Sequence, residues 1–269
     1  MTETTTSGAS ERPDAPPPGD EPDRADRAAA DDADLRESLA DLSRLATGRL
    51  DLRAMLTHVA EFAVRAIPGA DGAGLTLLEN DRADTIVASA DFVREVDAVQ
   101  YGIGEGPCIT AAAERRTVRS AHLGRDPSWP RFGPRVSRLG VHSVVSLPLL
   151  AGDGVLGAMN VYARTEDAFD ARAVELGELF AVPAAISVQN AQALAQAQRL
   201  ATQLQSALTH RAAIDQALGI LMSRSGCSPA EAFDKLRVMS QTQNRKASAV
   251  AQQLLDEAVA RARARHSAD

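Results

Sequence analysis

The sequence predicts an α+β domain, an antiparallel sheet with flanking helices, joined by a long helix to an all-α C-terminal end. Three observations predict it. Apolar periodicity is helical at first, shortens to the two-residue repeat of strands between Gly72 and Arg164, and becomes helical again from Asp170. From Ile186 the apolar positions recur at spacings of four and three in alternation. The 269-residue chain has a formal charge of −7, yet beyond Gln196 ten Lys and Arg face six Asp and Glu, a net +4 that leaves −11 for the rest.

Taken in order, Met1 to Asp34 is Thr, Ser, Pro, Ala and acid. With almost nothing apolar larger than alanine, it is expected to be a disordered acidic tail. Leu35, Leu39, Leu42 and Leu45 are spaced for one amphipathic helix, and Met55 to Ile67 for a second that stops at Pro68-Gly69. Strand candidates follow at 74–79, 85–90, 117–120, 143–150 and 155–163, with Gly/Asp turns between them. The irregular stretch 92–138 is expected to cover one face of the sheet. In it GIGEGPC (102–108) reads as a tight loop with glycines at positive φ, a helix start at Pro107, and Cys108 tucked in as a small apolar residue. Pro183 is expected to kink or divide the helix it falls in.

The 4-3 spacing runs through Ile186, Asn190, Ala193, Ala197, Leu200, Leu204 and Ala207, then Arg211, Ile214, Leu218 and Leu221. Such a heptad seam suits a paired helix, with Asn190 placed to fix register in a homodimer. A single amphipathic helix lying on its own domain would show the same spacing. Parallel and antiparallel pairing both stay open.

Catalysis finds little support. The five histidines, His58, His122, His142, His210 and His266, are scattered singly, no phosphate loop with its lysine occurs, and no metal-ligand cluster is evident. Cys108 and Cys227 lie far apart in different expected domains, which disfavours a disulfide. With 45% hydrophobic residues and no signal-peptide stretch or run long enough to span a bilayer, a cytoplasmic protein with no membrane partner is expected.

QYGIGEGPC (100–108), SWPRFGPR (128–135), GVHSVVSLPLL (140–150) and GVLGAMNVYA (154–163) together resemble a GAF domain, of the kind found before ANTAR domains. The resemblance implies a sensory pocket between the sheet and the 92–138 insertion, with a possible small-molecule ligand, and leaves any cofactor unknown. LQSALTHRAAIDQALGILM (204–222), SPAEAFDKLR (228–237) and NRKASAVAQQLLD (244–256) resemble the ANTAR domain, which implies a dimeric three-helix RNA-binding module. The residues fit that picture. Gly226 ends a helix, Ser228 to Glu231 form a capping box with proline at the first helical position, Phe233 and Leu236 are expected inward, and Ser248 is expected to cap a third helix carrying Val250, Leu254 and Val259 inward.

Leu218 stands where ANTAR domains usually carry lysine, so RNA contact is expected instead from Arg224, Arg237, Asn244, Arg245 and Lys246. Arginine and lysine would grip phosphates, and Asn244 could read a base in an unpaired loop. The expected division is a tail at 1–34, a GAF-like sensor at 35–195, an ANTAR domain at 196–262 and a basic tail at 263–269. The expected function is signal-responsive antitermination on hairpins in nascent mRNA, without enzymatic chemistry. The alternatives are a GAF signalling dimer whose basic end docks a protein partner, and DNA binding by a helix-turn-helix, which Glu231 and Asp234 on the would-be recognition helix disfavour.

Overall fold

A computed structural model describes residues 21–45, 51–79, 82–152 and 154–266. Two compact units divide the chain, one up to Ala193 and one from Leu194.

In the first unit α1 (Glu21–Leu45) and α2 (Leu52–Ala66) precede β1 (Gly72–Glu79) and β2 (Arg82–Ala88). Then come α3 (Asp91–Ile103), α4 (Pro107–Glu114), β3 (Val118–Ser120), a 3-10 turn at Leu123–Arg125, and α5 (Gly133–Ser137). β4 (Ser143–Ala151), β5 (Gly154–Ala163) and the first part of α6 (Ala171–Ser225) complete it. The five strands form one sheet in the order β2-β1-β5-β4-β3, and every neighbouring pair is antiparallel. The expected α+β architecture is observed, and each of the five strand candidates forms.

Strand side chains alternate between faces, and here the two faces differ in chemistry. Odd-numbered Leu75, Leu77, Val145, Leu147, Met159 and Val161 are buried in a core shared with α1, α2 and the start of α6. Each such aliphatic side chain withdrawn from water contributes ~1.5–3 kcal/mol. Even-numbered Val144 and Tyr162 join a second core with Val93, Val96, Trp129, Phe132 and Val136. The 92–138 stretch thus covers the opposite face, as expected. On this even face, however, Thr76, Ser146 and Asn160 are also buried.

Two expectations are corrected. The supposed disordered tail is helical from Glu21, since α1 covers Glu21–Leu45; residues 1–20 lie outside those described. Alanine is the best helix former, so the Ala-rich stretch extends a helix that Leu35 and Leu42 anchor in the core, and Asp32 pairs with Arg172 of α6. Pro183 does not divide its helix, which runs unbroken through it. Its neighbours Phe180, Ala184, Ala185 and Val188 are all buried against the sheet, and that packing holds the turn whose hydrogen bond proline removes.

In the second unit, the remainder of α6, α7 (Pro229–Thr242) and α8 (Ala247–His266) form a small bundle. Its core is Ala213, Ala217, Leu236, Val250, Ala251 and Leu254, flanked by Ile214, Leu218 and Leu221. The last part of the 4-3 spacing is therefore spent within the chain. Phe233 and Val259 do not point inward as expected, being 50% and 49% exposed. Ala232 takes the inward place on α7, because helices packed on alanine approach too closely to seat a phenyl ring beside Leu236. Ser248 is no cap either, because α8 begins at Ala247 and it is the Lys246 carbonyl that accepts from the Ala249 and Val250 amides. Among the described residues no helix is long and apolar enough to cross a membrane.

Candidate functional site

On the even face of the sheet, α3 and α4 are set by the GIGEGPC loop. Gly104 ends α3 in the left-handed region (φ 66°), donating to the Gln100 carbonyl. A side chain at Gly106 would overlap Gln100, whose Oε1 instead accepts from the buried Cys108 amide at 3.0 Å. Glu105, between them, accepts from the amides of Arg131 (2.7 Å) and Phe132 (3.0 Å) and from Arg131 Nε (2.8 Å). The Arg131 guanidinium, followed by these amides, holds the Glu105 carboxyl below the usual range. Trp129 Nε1 donates to Thr110 Oγ1 at 3.0 Å. These bonds join the loop and the SWPRFGPR segment into one lid.

Beneath the lid is a polar cluster. Asp97 is fully buried; its Oδ1 accepts from Tyr162 Oη (2.8 Å) and Asn160 Nδ2 (3.3 Å), while Asn160 Oδ1 accepts from Ser146 Oγ (2.5 Å). Burial outweighs both donors and pushes the Asp97 carboxyl up to about 7. Cys108 Sγ lies 3.0 Å from Tyr101 Oη, and burial pushes its thiol up to about 11. A thiol so protonated is a weak nucleophile. Among the described residues, Asp97 Oδ2, Gln100 Nε2 and Thr76 Oγ1 have no hydrogen-bond partner within bonding geometry.

Beside the cluster a cavity of about 590 Å³ opens to solvent, a size ordinary for small-molecule sites. Thr76, Tyr101 and Cys108 line it together with the apolar side chains Leu78, Ile109 and Val155, and Arg115 stands among its lining residues. None of these was singled out for binding from sequence. The available signal was the polar even positions, Thr76, Ser146 and Asn160, inside otherwise apolar strands. The sequence-predicted RNA-contact residues all lie in the second unit.

In that unit α6 ends at Gly226 (φ 65°), whose amide donates to the Met222 carbonyl at 2.8 Å, and α7 opens with the expected reciprocal capping box of Ser228 and Glu231. Arg224 lines a surface groove with Gly219, Ile220 and Leu255 and makes no ion pair among the described residues. Asn244, in the left-handed region (φ 48°), Arg245 and Lys246 share the connection between α7 and α8. Arg245 Nη1 donates to Gln253 Oε1 at 2.5 Å, which leaves its charge uncompensated. Arg237 instead pairs with Asp234 at 2.8 Å.

The structure therefore brings Asn244, Arg245 and Lys246 together. It does not bring Arg224 to them, since α7, about 20 Å long at 1.5 Å per residue, connects the two places. Arg261 lies one turn beyond the groove residue Ala258, with Nη2 3.2 Å from Glu257. The upper seam residues Ile186, Leu200 and Leu204 are 53%, 55% and 58% exposed, and Asn190, Ala193, Ala197 and Ala207 are exposed as well.

A buried polar cluster and an open cavity thus lie on one face of an antiparallel sheet, and a basic three-helix module follows. The GAF domain family matches residues 49–189, more than half of the chain, and the ANTAR domain matches residues 202–255. The chain belongs to the GAF domain family and is a GAF and ANTAR domain-containing regulator. Among solved structures it is similar to the GAF domain of a phosphoenolpyruvate-protein phosphotransferase from Coxiella burnetii (17% identity, 60% of this chain and 96% of that one, TM-score 0.47). It is also similar to a GAF sensor protein from Burkholderia vietnamiensis (18%, 62% and 98%, 0.44) and to the free methionine-R-sulfoxide reductase of Neisseria meningitidis (16%, 60% and 91%, 0.44). No curated protein matches the chain.

Proposed function

We propose that the protein is a cytoplasmic, homodimeric antiterminator that binds hairpins in nascent mRNA through residues 196–262 under control of a sensor at 35–195, making and breaking no covalent bond. The observation that carries this reading is the ANTAR match over 202–255 in a unit whose Arg224, Arg245 and Lys246 are exposed and free of ion pairs among the described residues. Phosphates would be held by Arg245 and Lys246, with Asn244 beside them for a loop base. Phe233 and Arg237 share one face of α7 at a spacing of four, which offers a stacking surface for an unpaired base. The helix α8 runs on to His266, so Arg263 and Arg265 belong to this module rather than to a separate basic tail.

Pairing of two copies is supported by the exposed seam from Ile186 to Ala207, because leucines half open to water in one chain are covered when two such helices pack. The test is fluorescence anisotropy of the full chain with hairpin transcripts. The expected result is tight, salt-sensitive binding that loop substitutions weaken, with the Arg245→Ala, Lys246→Ala pair reducing the slope of log affinity against log salt by about 2. Equal affinity for an unrelated RNA of the same length sinks the reading.

A further inference from the structure

The cavity of the first unit carries a chemical bias in its walls. Its interior is aliphatic, supplied by Leu78, Ile109 and Val155 with Ala112 and Ala158. Thr76 is fully buried in its wall, close to Tyr101 and Cys108. Among the described lining residues there is no carboxylate and a single cation, Arg115. Arg115 is exposed and makes no ion pair among the described residues, so the charge stands at the rim.

We propose that this cavity binds a small monoanion with an apolar body, a carboxylic acid in its ionised form, carboxylate toward Arg115 and hydrocarbon along the aliphatic walls. The inference rests on the reading of this unit as a ligand sensor. A guanidinium at the rim can hold a planar carboxylate through two parallel hydrogen bonds. The aliphatic walls reward each methylene removed from water, by roughly fourfold in affinity. A cationic ligand would meet Arg115 with no compensating acid. A cyclic nucleotide would bring a polar base that Thr76, Tyr101 and Cys108 can satisfy only in part, and each unpaired polar atom in such a site costs affinity.

Isothermal titration calorimetry on the full chain tests this with octanoate, hexanoate, octanol, octylamine and cyclic AMP as probes. Octanoate is expected to bind, more weakly when shortened to hexanoate, and about tenfold more tightly than octanol. Arg115→Gln, a surface change, is expected to erase the octanoate preference while leaving octanol binding unchanged. Ala112→Trp, which fills the cavity, abolishes both; circular dichroism checks that it folds. If octanol or octylamine binds as well as octanoate and Ala112→Trp abolishes it, the cavity is a ligand site but the carboxylate assignment falls. The same holds for cyclic AMP binding in preference to octanoate. If no probe binds, or if Ala112→Trp leaves binding intact, the sensor reading of this cavity falls with it.

Discussion

Folding takes the Asp97 carboxyl out of water and gives one of its oxygens two donors, Tyr162 and Asn160, and the other none among the described residues. Its ionisation is therefore displaced upward, to about 7. Between the ordinary carboxylate range and 7 the folded chain holds a proton that the unfolded chain has released, so stability falls as pH rises across that window. Thermal melting is expected at lower temperature at pH 8 than at pH 5.5, and Asp97→Asn should flatten the difference; an unchanged slope in the variant would remove Asp97 as its source. Glu105 behaves oppositely. Its lowered ionisation, caused first by Arg131 and then by two amides, gives stability present at neutral pH and lost on acidification below the ordinary carboxylate range. Glu105→Ala should lower the melting temperature at pH 7, and by progressively less as pH falls below the ordinary carboxylate range. The lid bond of Glu105 was not legible in sequence, because it joins residues 26 apart through backbone amides that no side-chain pattern encodes. The polar floor was half legible. Thr76 and Asn160 stand out within apolar strands, whereas Asp97 reads as an ordinary helix-surface acid until α3 is laid on the sheet.

At the scale of elements, α7 shows which signals survive folding. Its start was legible to the residue, because Ser228, Pro229 and Glu231 specify local bonds that form wherever the helix sits. Ser228→Ala is expected to cost about 1 kcal/mol, read as a shift in the denaturant midpoint. Its inward face was not legible, since Phe233 with Leu236 and Ala232 with Leu236 both satisfy helical spacing, and only the approach of α6 and α8 decides between them. Leu236 is fully buried and Phe233 half exposed. Leu236→Ala should therefore cost ~2–5 kcal/mol while Phe233→Ala changes stability little; equal losses would return Phe233 to the core. The N-terminal helix was missed for the converse reason. Composition without large apolar residues reads as disorder, yet alanine-rich helix needs only one anchored end to propagate.

For the molecule as a whole, the proposed dimer predicts that exposed seam positions can be charged without harming either unit. Leu200→Lys combined with Leu204→Lys is expected to leave the circular dichroism spectrum unchanged while sedimentation shifts from dimer to monomer; a parent chain already monomeric at micromolar concentration would overturn the pairing. The fold class was legible because periodicity changes register at each boundary, whereas the 4-3 spacing did not reveal that Ile214, Leu218 and Leu221 pack within the chain. The division of the strands into an odd face and an even face has a consequence for descent. Core strength resides largely in Leu75, Leu147, Met159 and Val161 on one side, while the cavity draws on Thr76, Ala158 and the helices across the other. Substitutions among the cavity's lining residues can accumulate without touching either hydrophobic core. A lineage of such proteins is thus free to exchange the signal it answers to while passing on the same scaffold, and the two properties can be inherited separately.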